Sequence, residues 1–414
     1  MSTYPKAFAY HLSRLSNFNR QKLRLQSLAN TTFNPNDQIV IELPTGLLDM
    51  TTFTVQGFVN TNAGAAHGIY ICPAELMVES YSVEVGGISV QNPFNNYGDL
   101  FNIYRQYQME DKKRFRRILQ LEDQQTGAHG PNGNAAMAFN GVTGNTPFAI
   151  YNWLGFLNSV KVLDTTLLPP VKIYIRLAPT SVLTRSITGG ANVNVPTYQI
   201  TDFRATCDIL SIDDGVYYNM VNSRLQSSPL EIPFENYTTV AGGLGAPTQS
   251  LRWSTSADCV EAVIGTFKLA NPGSFVADTD TGLSEYFTRT GQDVRDSVYR
   301  VNGVPYPTIP CESAIGDIFV DSAHTLGASQ DVLGSTDPLM RTLAIWRDNF
   351  FVHAHSFTYP DAEDAHRLCG LSGRGNQLIG SWDTNANSGG PFNQVQPILW
   401  LKHKSVMRIG NNKM

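Results

Sequence analysis

The sequence predicts an all-β protein: two tandem eight-stranded jelly rolls with short helical insertions and long loops. Three observations carry this. Apolar residues alternate with polar ones in many short runs, clearest in Val171-Lys-Ile-Tyr-Ile-Arg-Leu177, the period of a strand with one buried face. A strand–turn–strand–Pro–helix arrangement is written twice, at Ser82 to Tyr104 and at Ser297 to Phe319. The β-α-β alternation of a doubly wound sheet is missing, and irregular strand spacing excludes a propeller.

In the first copy Tyr81, Val83 and Val85 alternate with Ser82 and Glu84. Gly86-Gly87 supplies a two-residue hairpin turn, because glycine accepts positive φ. Pro93 is expected to stop the ladder. Asn96 then caps a helix with Leu100, Ile103, Tyr104 and Tyr107 on one face. In the second copy Val301-Asn302-Gly303-Val304 matches Val85-Gly86-Gly87-Ile88, and Gly316-Asp317-Ile318-Phe319 matches Gly98-Asp99-Leu100-Phe101. Three weaker echoes keep the same order: Glu42-Leu43-Pro44 with Glu231-Ile232-Pro233, Val55-Gln56-Gly57 with Val263-Ile264-Gly265, and Pro170 to Ile175 with Pro397 to Leu401. In-register repetition of this kind implies duplicated domains. A chain of 414 residues is also too long for one ordinary core.

Three regions follow: a basic arm at 1–36, a first roll at 37–212 and a second at 213–414. The arm holds Lys6, Arg14, Arg20, Lys22 and Arg24 and no acid, although the whole chain carries −5. Phe8, Ala9, His11, Leu12 and Leu15 give it an amphipathic helical start. That chemistry suits contact with lipid headgroups, nucleic acid or a neighbouring subunit; the alternative is a terminus docked on its own domain. In the first roll, strands are expected at 39–43, 52–59, 69–72, 148–153, 171–177 and 203–210, with a crossover at 179–200. A second charge cluster, Lys112, Lys113, Arg114, Arg116 and Arg117, follows the first helix. It lacks interleaved aromatics, so a subunit-contact role is preferred over nucleic acid. A short helix near 214–223 leads to the second roll, with strands at 229–233, 262–269, 343–346, 350–357 and 396–407. Gly-, Asn-, Asp- or Ser-rich loops are expected at 122–147, 271–290, 320–338 and 370–393. Loops this long within compact domains are usually functional surfaces or disordered.

Composition narrows the function. Charged residues make up only 16%, against about 25% in an ordinary soluble chain, which leaves more neutral surface for contact with neighbours. The five cysteines, Cys72, Cys207, Cys259, Cys311 and Cys369, show no C-x-x-C spacing, so buried free thiols are expected rather than a zinc or disulfide framework. No apolar run reaches the length of a membrane span, and no signal-peptide h-region opens the chain.

The search for chemistry is short. His353-Ala-His355 places two imidazoles on one strand face, followed by Asp361, Glu363, Asp364 and His366. Phe351 and Phe357 share that face, and no third ligand has a diagnostic spacing. Gly370 to Gly375 lacks the Lys-Ser/Thr of a phosphate loop. The acid pairs Asp213-Asp214 and Glu122-Asp123 fit turn and cap roles. No nucleophile, base and orienting group are visible together, so the sequence predicts no catalytic residue, no metal site, no cofactor and no enzyme.

The duplicated element at Val85 to Phe101 and Val301 to Phe319, the basic arm and the Gly/Asn loops resemble the double jelly-roll major capsid proteins of tailless icosahedral viruses, phages with an internal membrane among them. The resemblance spans nearly the whole chain in architecture. It implies a structural protein of the virion, assembled in the host cytoplasm, whose homotrimers form pseudo-hexagonal capsomers that tile an icosahedral shell. It implies as partners the neighbouring capsomers, the vertex (penton) and minor capsid proteins, and an internal lipid membrane or genome reached by Lys6, Arg14, Arg20, Lys22 and Arg24. The competing reading is a two-sandwich carbohydrate-binding or glycan-processing protein, with Trp153, Trp253, Trp346 and Trp400 stacking on sugars.

Overall fold

The computed structural model describes residues 19–28, 30–61, 67–70, 73–108, 119, 146–187, 197–212, 214–243, 248–255, 257, 259–269, 289–291, 294–327, 343, 346–347, 350–358, 370–373, 376–384 and 395–410. The first half contains β1 (Asn19–Leu25), β2 (Gln38–Glu42), β3 (Leu47–Thr61), β4 (His67–Tyr70), β5 (Val78–Val85), β6 (Ile88–Asn95), α1 (Tyr97–Gln108), β7 (Thr146–Ile150), α2 (Phe156–Ser159), β8 (Val162–Asp164), β9 (Val171–Leu177), β10 (Thr184–Ile187) and β11 (Tyr198–Ser211). After α3 (Asp214–Ser227) come β12 (Leu230–Ala241), β13 (Thr248–Thr255), β14 (Cys259–Leu269), β15 (Val294–Val301), β16 (Val304–Glu312), α4 (Asp317–Leu326), β17 (His353–Ser356), β18 (Asn376–Thr384) and β19 (Val395–Ile409).

The strands form four antiparallel sheets and a two-stranded ribbon, β10–β4. The sheet orders are β1-β11-β3-β7, with β8 also on β3, and β2-β9-β5-β6; then β12-β19-β14-β17 and β13-β18-β15-β16. With β4, β8 and β10 set aside, each half has eight strands among the described residues. Both halves then share one wiring: first-eighth-third-sixth in one sheet and second-seventh-fourth-fifth in the other. This is the jelly roll twice over. Each roll places its helix, α1 or α4, between its fifth and sixth strands.

The duplicated turns have the geometry their residues dictate. Gly86 and Gly87 have φ 58 and 88, and Asn302 and Gly303 have φ 51 and 82, the positive pair of a type I′ hairpin. The Val55-Gln56-Gly57 echo is also a true equivalence. Gly57 pairs with Phe148 of β7 and Gly265 with His353 of β17, third strand to sixth in each roll. A side chain at Gly265 would meet the Tyr299 hydroxyl at 2.6 Å and Leu399 at 2.7 Å. Two echoes are coincidental: Glu42 ends a second strand while Glu231 lies in a first, and Pro170 precedes a seventh while Pro397 lies in an eighth. Short apolar triplets recur in any strand, and only pairing distinguishes them.

Several expectations are corrected. Pro93 does not stop the ladder; β6 continues past it, with Tyr81 opposite Phe94 and Val83 opposite Gln91 across a register shift. An edge strand tolerates a proline at such an irregularity because its N–H is not needed. Asn96 precedes α1 with φ 53, left-handed rather than the extended conformation of an ordinary cap. Residues 19–25, read as part of the arm, form β1 along β11. The expected loop at 370–393 contains β18, whose Leu378 and Trp382 are core residues; its Asn, Gly and Ser content masked the alternation. The expected loop at 320–338 begins inside α4. Leu343 and Trp346 are helical rather than extended. Most of the loops at 122–147 and 271–290 lies outside the described residues. Among those residues no helix is long and apolar enough to cross a membrane.

Candidate subunit-contact site

The strongest feature is the seam between the rolls and what corresponds to it elsewhere. Strand β12 of the second roll packs on β6 of the first. Phe94 stacks on Tyr237 with centroids 4.7 Å apart. Gln91 Nε2 donates to Asn236 Oδ1 (2.5 Å), Thr239 Oγ1 to the Asn95 carbonyl (3.0 Å), and Tyr104 and Tyr237 share a hydroxyl contact at 3.3 Å. Helix α1 is wrapped by this joint: among its residues only Tyr104 and Gln108 are not buried. It also reaches into the second roll. Lys268 Nζ on β14 meets Asp99 Oδ2 at 2.7 Å, Arg289 donates to Gln106, Trp346 Nε1 donates to the Tyr107 hydroxyl (2.9 Å), and Gln108 Nε2 to the Leu326 carbonyl (2.9 Å). Burial brings the Arg289 pKa down to about 10, while the Asp99 charge supports it. The first core cluster accordingly runs across the seam and includes Phe234, Tyr237, Trp400 and Leu326.

Among the described residues, the equivalent surface of the second roll is the more exposed of the two. In α4 only Ile318, Ser322 and Leu326 are buried. Ile309 (79% exposed) on β16, Ile315 (69%) before α4 and Val320 (53%) on it are apolar side chains exposed within one short stretch of chain, with exposed Glu312 and Asp317 between them in sequence; Val304 (52%) matches Ile88 of the first roll, itself 55% exposed. Patches of this kind mark interaction surfaces. Strand β1, the counterpart of β12, is an edge strand with its first four residues exposed.

The predicted contact residues distribute as follows. Arg20, Lys22 and Arg24 stand on β1. Arg20 pairs with Asp208 and, at 3.7 Å, with Asp49, and Arg24 lies 3.6 Å from Asp202. Lys6, Arg14 and the cluster Lys112, Lys113, Arg114, Arg116 and Arg117 lie outside the described residues, as do Asp361, Glu363, Asp364 and His366.

His353 and His355 do converge on one carboxylate. Asp321 Oδ2 lies 2.8 Å from His355 Nδ1 and 3.3 Å from His353 Nε2. Ser297 Oγ sits 2.5 Å from His353 Nδ1, and the Tyr299 hydroxyl donates to the His353 carbonyl (2.6 Å). Burial opposes the Asp321 charge, but the two imidazoles outweigh it and hold the carboxyl at about 2. Burial pushes His353 down and the Cys311 thiol up to about 12. Sequence reasoning missed Asp321, Ser297 and Cys311 because they come from α4, β15 and β16, brought together only by strand pairing and by the packing of α4 on β17 and β16. Ser, His and Asp in a row resemble a hydrolase triad in composition. Here Ser297 and His353 are 1% and 0% exposed, which bars a substrate from the hydroxyl.

A cleft of ≈ 760 Å³ opens beside the seam, lined by Tyr104, Phe234, Glu235, Glu261, Lys402 and Lys404. Four of its charged side chains pair with one another: Lys402 with Glu235 (3.0 Å) and Glu261 (3.4 Å), and Lys404 with Glu261 (2.9 Å). Burial works against the Lys402 charge, but Tyr104, Glu235 and Glu261 hold its pKa up. Trp153, Trp346 and Trp400 are buried, so they cannot stack on a glycan; the side chain of Trp253 lies outside the described residues.

No protein-family model and no curated protein matches the chain. Solved structures do. PBCV-1 VP54, fitted into a reconstruction of the virophage Sputnik, superposes with TM-score 0.61 at 16% identity, over 100% of this chain and 98% of that one. The Faustovirus major capsid protein gives 0.57 at 8% identity, over 95% and 91%. The Sputnik virophage structure gives 0.54 at 10%, over 96% and 87%. The fold is the double jelly roll of viral capsid proteins. The double jelly roll accounts for the twin wiring, for the helix between the fifth and sixth strands of each roll, and for full-length coverage in both directions.

Proposed function

We propose that this chain is a non-enzymatic major capsid protein: a homotrimeric building block whose pseudo-hexagonal capsomers tile an icosahedral shell. The observation that carries the reading is the uncovered counterpart of the seam. Within the chain, β12 covers β6 and α1. The matching face of the second roll, β16 and α4, is left with Ile309, Ile315 and Val320 exposed among the described residues. The matching edge of the first roll, β1, is paired on one side only, with β11, among the described residues. Seating β1 of one copy on β16–α4 of the next repeats the internal joint between chains, with Arg20, Lys22 and Arg24 facing Glu312 and Asp317. Such a contact is head-to-tail and closes into a ring when the rotation allows. Two rolls per chain make a six-membered ring from three chains.

In this reading the chain acts in the virion capsid after assembly in the host cytoplasm, beside neighbouring capsomers, vertex (penton) proteins and minor capsid proteins. Residues 1–18 form the arm that meets an internal membrane or the genome, the first roll runs from 19 to 212 and the second from 213 to 414. The cluster at Lys112 to Arg117 joins neighbouring subunits. The fold likeness to capsid proteins supports the shell role, and the buried tryptophans weigh against the glycan reading.

The test is mass in solution by light scattering. The wild-type chain is expected at three times 45.6 kDa. The double substitution Ile309→Asp, Ile315→Asp is expected to give folded 45.6 kDa monomers with an unchanged circular dichroism spectrum. A wild-type monomer, or a double variant that remains trimeric, overturns the reading.

A further inference from the structure

The cluster beside the bare face offers chemistry that packing alone does not require. Cys311 ends β16, Asp321 lies in α4 and His353 opens β17; one ligand atom from each lies within 4.8 Å of the others. A thiolate, a carboxylate and an imidazole form a borderline-soft donor set. Tetrahedral zinc, with bonds of about 2.0–2.3 Å, places its ligand atoms about 3.3–3.7 Å apart. His353 Nε2 and Asp321 Oδ2 already stand 3.3 Å apart, and the Cys311 sulfur lies within 4.8 Å of a ligand atom of each.

The surroundings are arranged as a metal centre requires. Ser297 Oγ at 2.5 Å from His353 Nδ1 fixes the ring so that Nε2 faces Asp321, and Tyr299 stacks on the same ring with centroids 4.7 Å apart. Outer partners of this kind orient ligating histidines. His355 Nδ1 contacts the same Asp321 oxygen at 2.8 Å. Cys311 and His353 are buried, whereas the Asp321 and His355 side chains keep 23% and 16% exposure, so an ion has a route in and water can take a fourth position.

We propose that Cys311, Asp321 and His353 bind a divalent transition-metal ion of the zinc class, one per chain. Thiolate and carboxylate together cancel the charge of the dication, which a buried site demands. As the metal–sulfur bond forms, the Cys311 proton leaves to solvent. The ion pins α4 to the edge strand β16 and to β17, bracing the helix whose outer side carries Val320. The proposal stands apart from the capsid reading, because the ligands belong to one chain.

The experiment uses the full chain, stripped with chelator and titrated with Co2+ alone. One equivalent per chain is expected, with a near-ultraviolet thiolate-to-Co2+ charge-transfer band displaced by Zn2+. Cys311→Ala is expected to abolish the band, and Asp321→Asn to weaken binding at least about tenfold. Should either variant fail to fold, peptide mapping of the wild type decides: Zn2+ should slow alkylation of Cys311 at least about tenfold while leaving Cys207 unchanged. No stoichiometric metal, a band that persists in Cys311→Ala, or alkylation of Cys311 indifferent to Zn2+ overturns the proposal. Light scattering on the same sample reports the oligomer separately, so failure of one reading is distinguished from failure of the other.

Discussion

His403 shows how a single side chain sets a condition on the fold. It lies in β19, 7% exposed, with Nε2 3.2 Å from Thr238 Oγ1 and Nδ1 3.4 Å from Ser405 Oγ. Burial brings its pKa to about 4, despite support from the Lys404 backbone and the Glu261 charge. The unfolded chain protonates this group near pH 6.5 and the folded one near 4. The stability present above 6.5 is therefore lost as pH falls between those values, by roughly 3 kcal/mol in full. Buried His353 acts in the same direction. Asp321 acts later: its carboxyl is held at about 2, so its contribution persists to about pH 4 and is lost only below it. The melting temperature should fall between about pH 7.5 and pH 5, and His403→Gln should flatten part of that slope. Equal melting temperatures at both pH values in the wild type would count against this account. Residue identity was readable in the sequence, but burial was not: nothing near position 403 distinguishes its imidazole from an exposed one.

At the scale of elements, the joint between α1 and β14 is the one that a substitution can examine cleanly. Asp99 is 3% exposed and Lys268 8%. Truncating one partner of a buried pair strands the other charge, at a cost of about 3–5 kcal/mol. Lys268→Met should cost toward the low end, because Arg289 still lends Asp99 a nearby positive charge. The double variant Lys268→Met, Asp99→Leu should recover most of the loss, since apolar replacement of both partners is often neutral. Denaturant unfolding measures both, and a double variant no more stable than the single one would refute the pairing account. The helices and hairpins were legible because their signals are local: Gly86-Gly87, Asn302-Gly303 and the apolar face of residues 100–107. Strands β1 and β18 were not. Arg20, Lys22 and Arg24 made β1 look like a tail, and Gly380 with its polar neighbours made β18 look like a loop. Each becomes a strand because a partner, β11 or β15, supplies its hydrogen bonds.

For the whole molecule, the continuous core across the seam makes the two rolls one unit. Deleting residues 1–18 should leave a folded trimer with unchanged melting temperature that fails to build closed shells. Deleting residues 1–25 should also lower the melting temperature, because β1 is removed from β11. Full assembly by the shorter truncation, or its failure to fold, would remove the arm from this scheme. The sequence by itself determined the all-β class, the duplication, both two-residue hairpin turns, the first helix and the start of the second, because periodicity, glycine and asparagine act within a few residues. Only the tertiary structure decided which strands pair, that α1 is wrapped while its twin α4 keeps an exposed side among the described residues, and that Cys311, Ser297, Asp321 and His353 meet. Those facts depend on contacts between residues far apart in the chain. Local composition does not encode them: the same apolar triplet fits a second strand or an eighth, and the same amphipathic helix fits a seam or an open face.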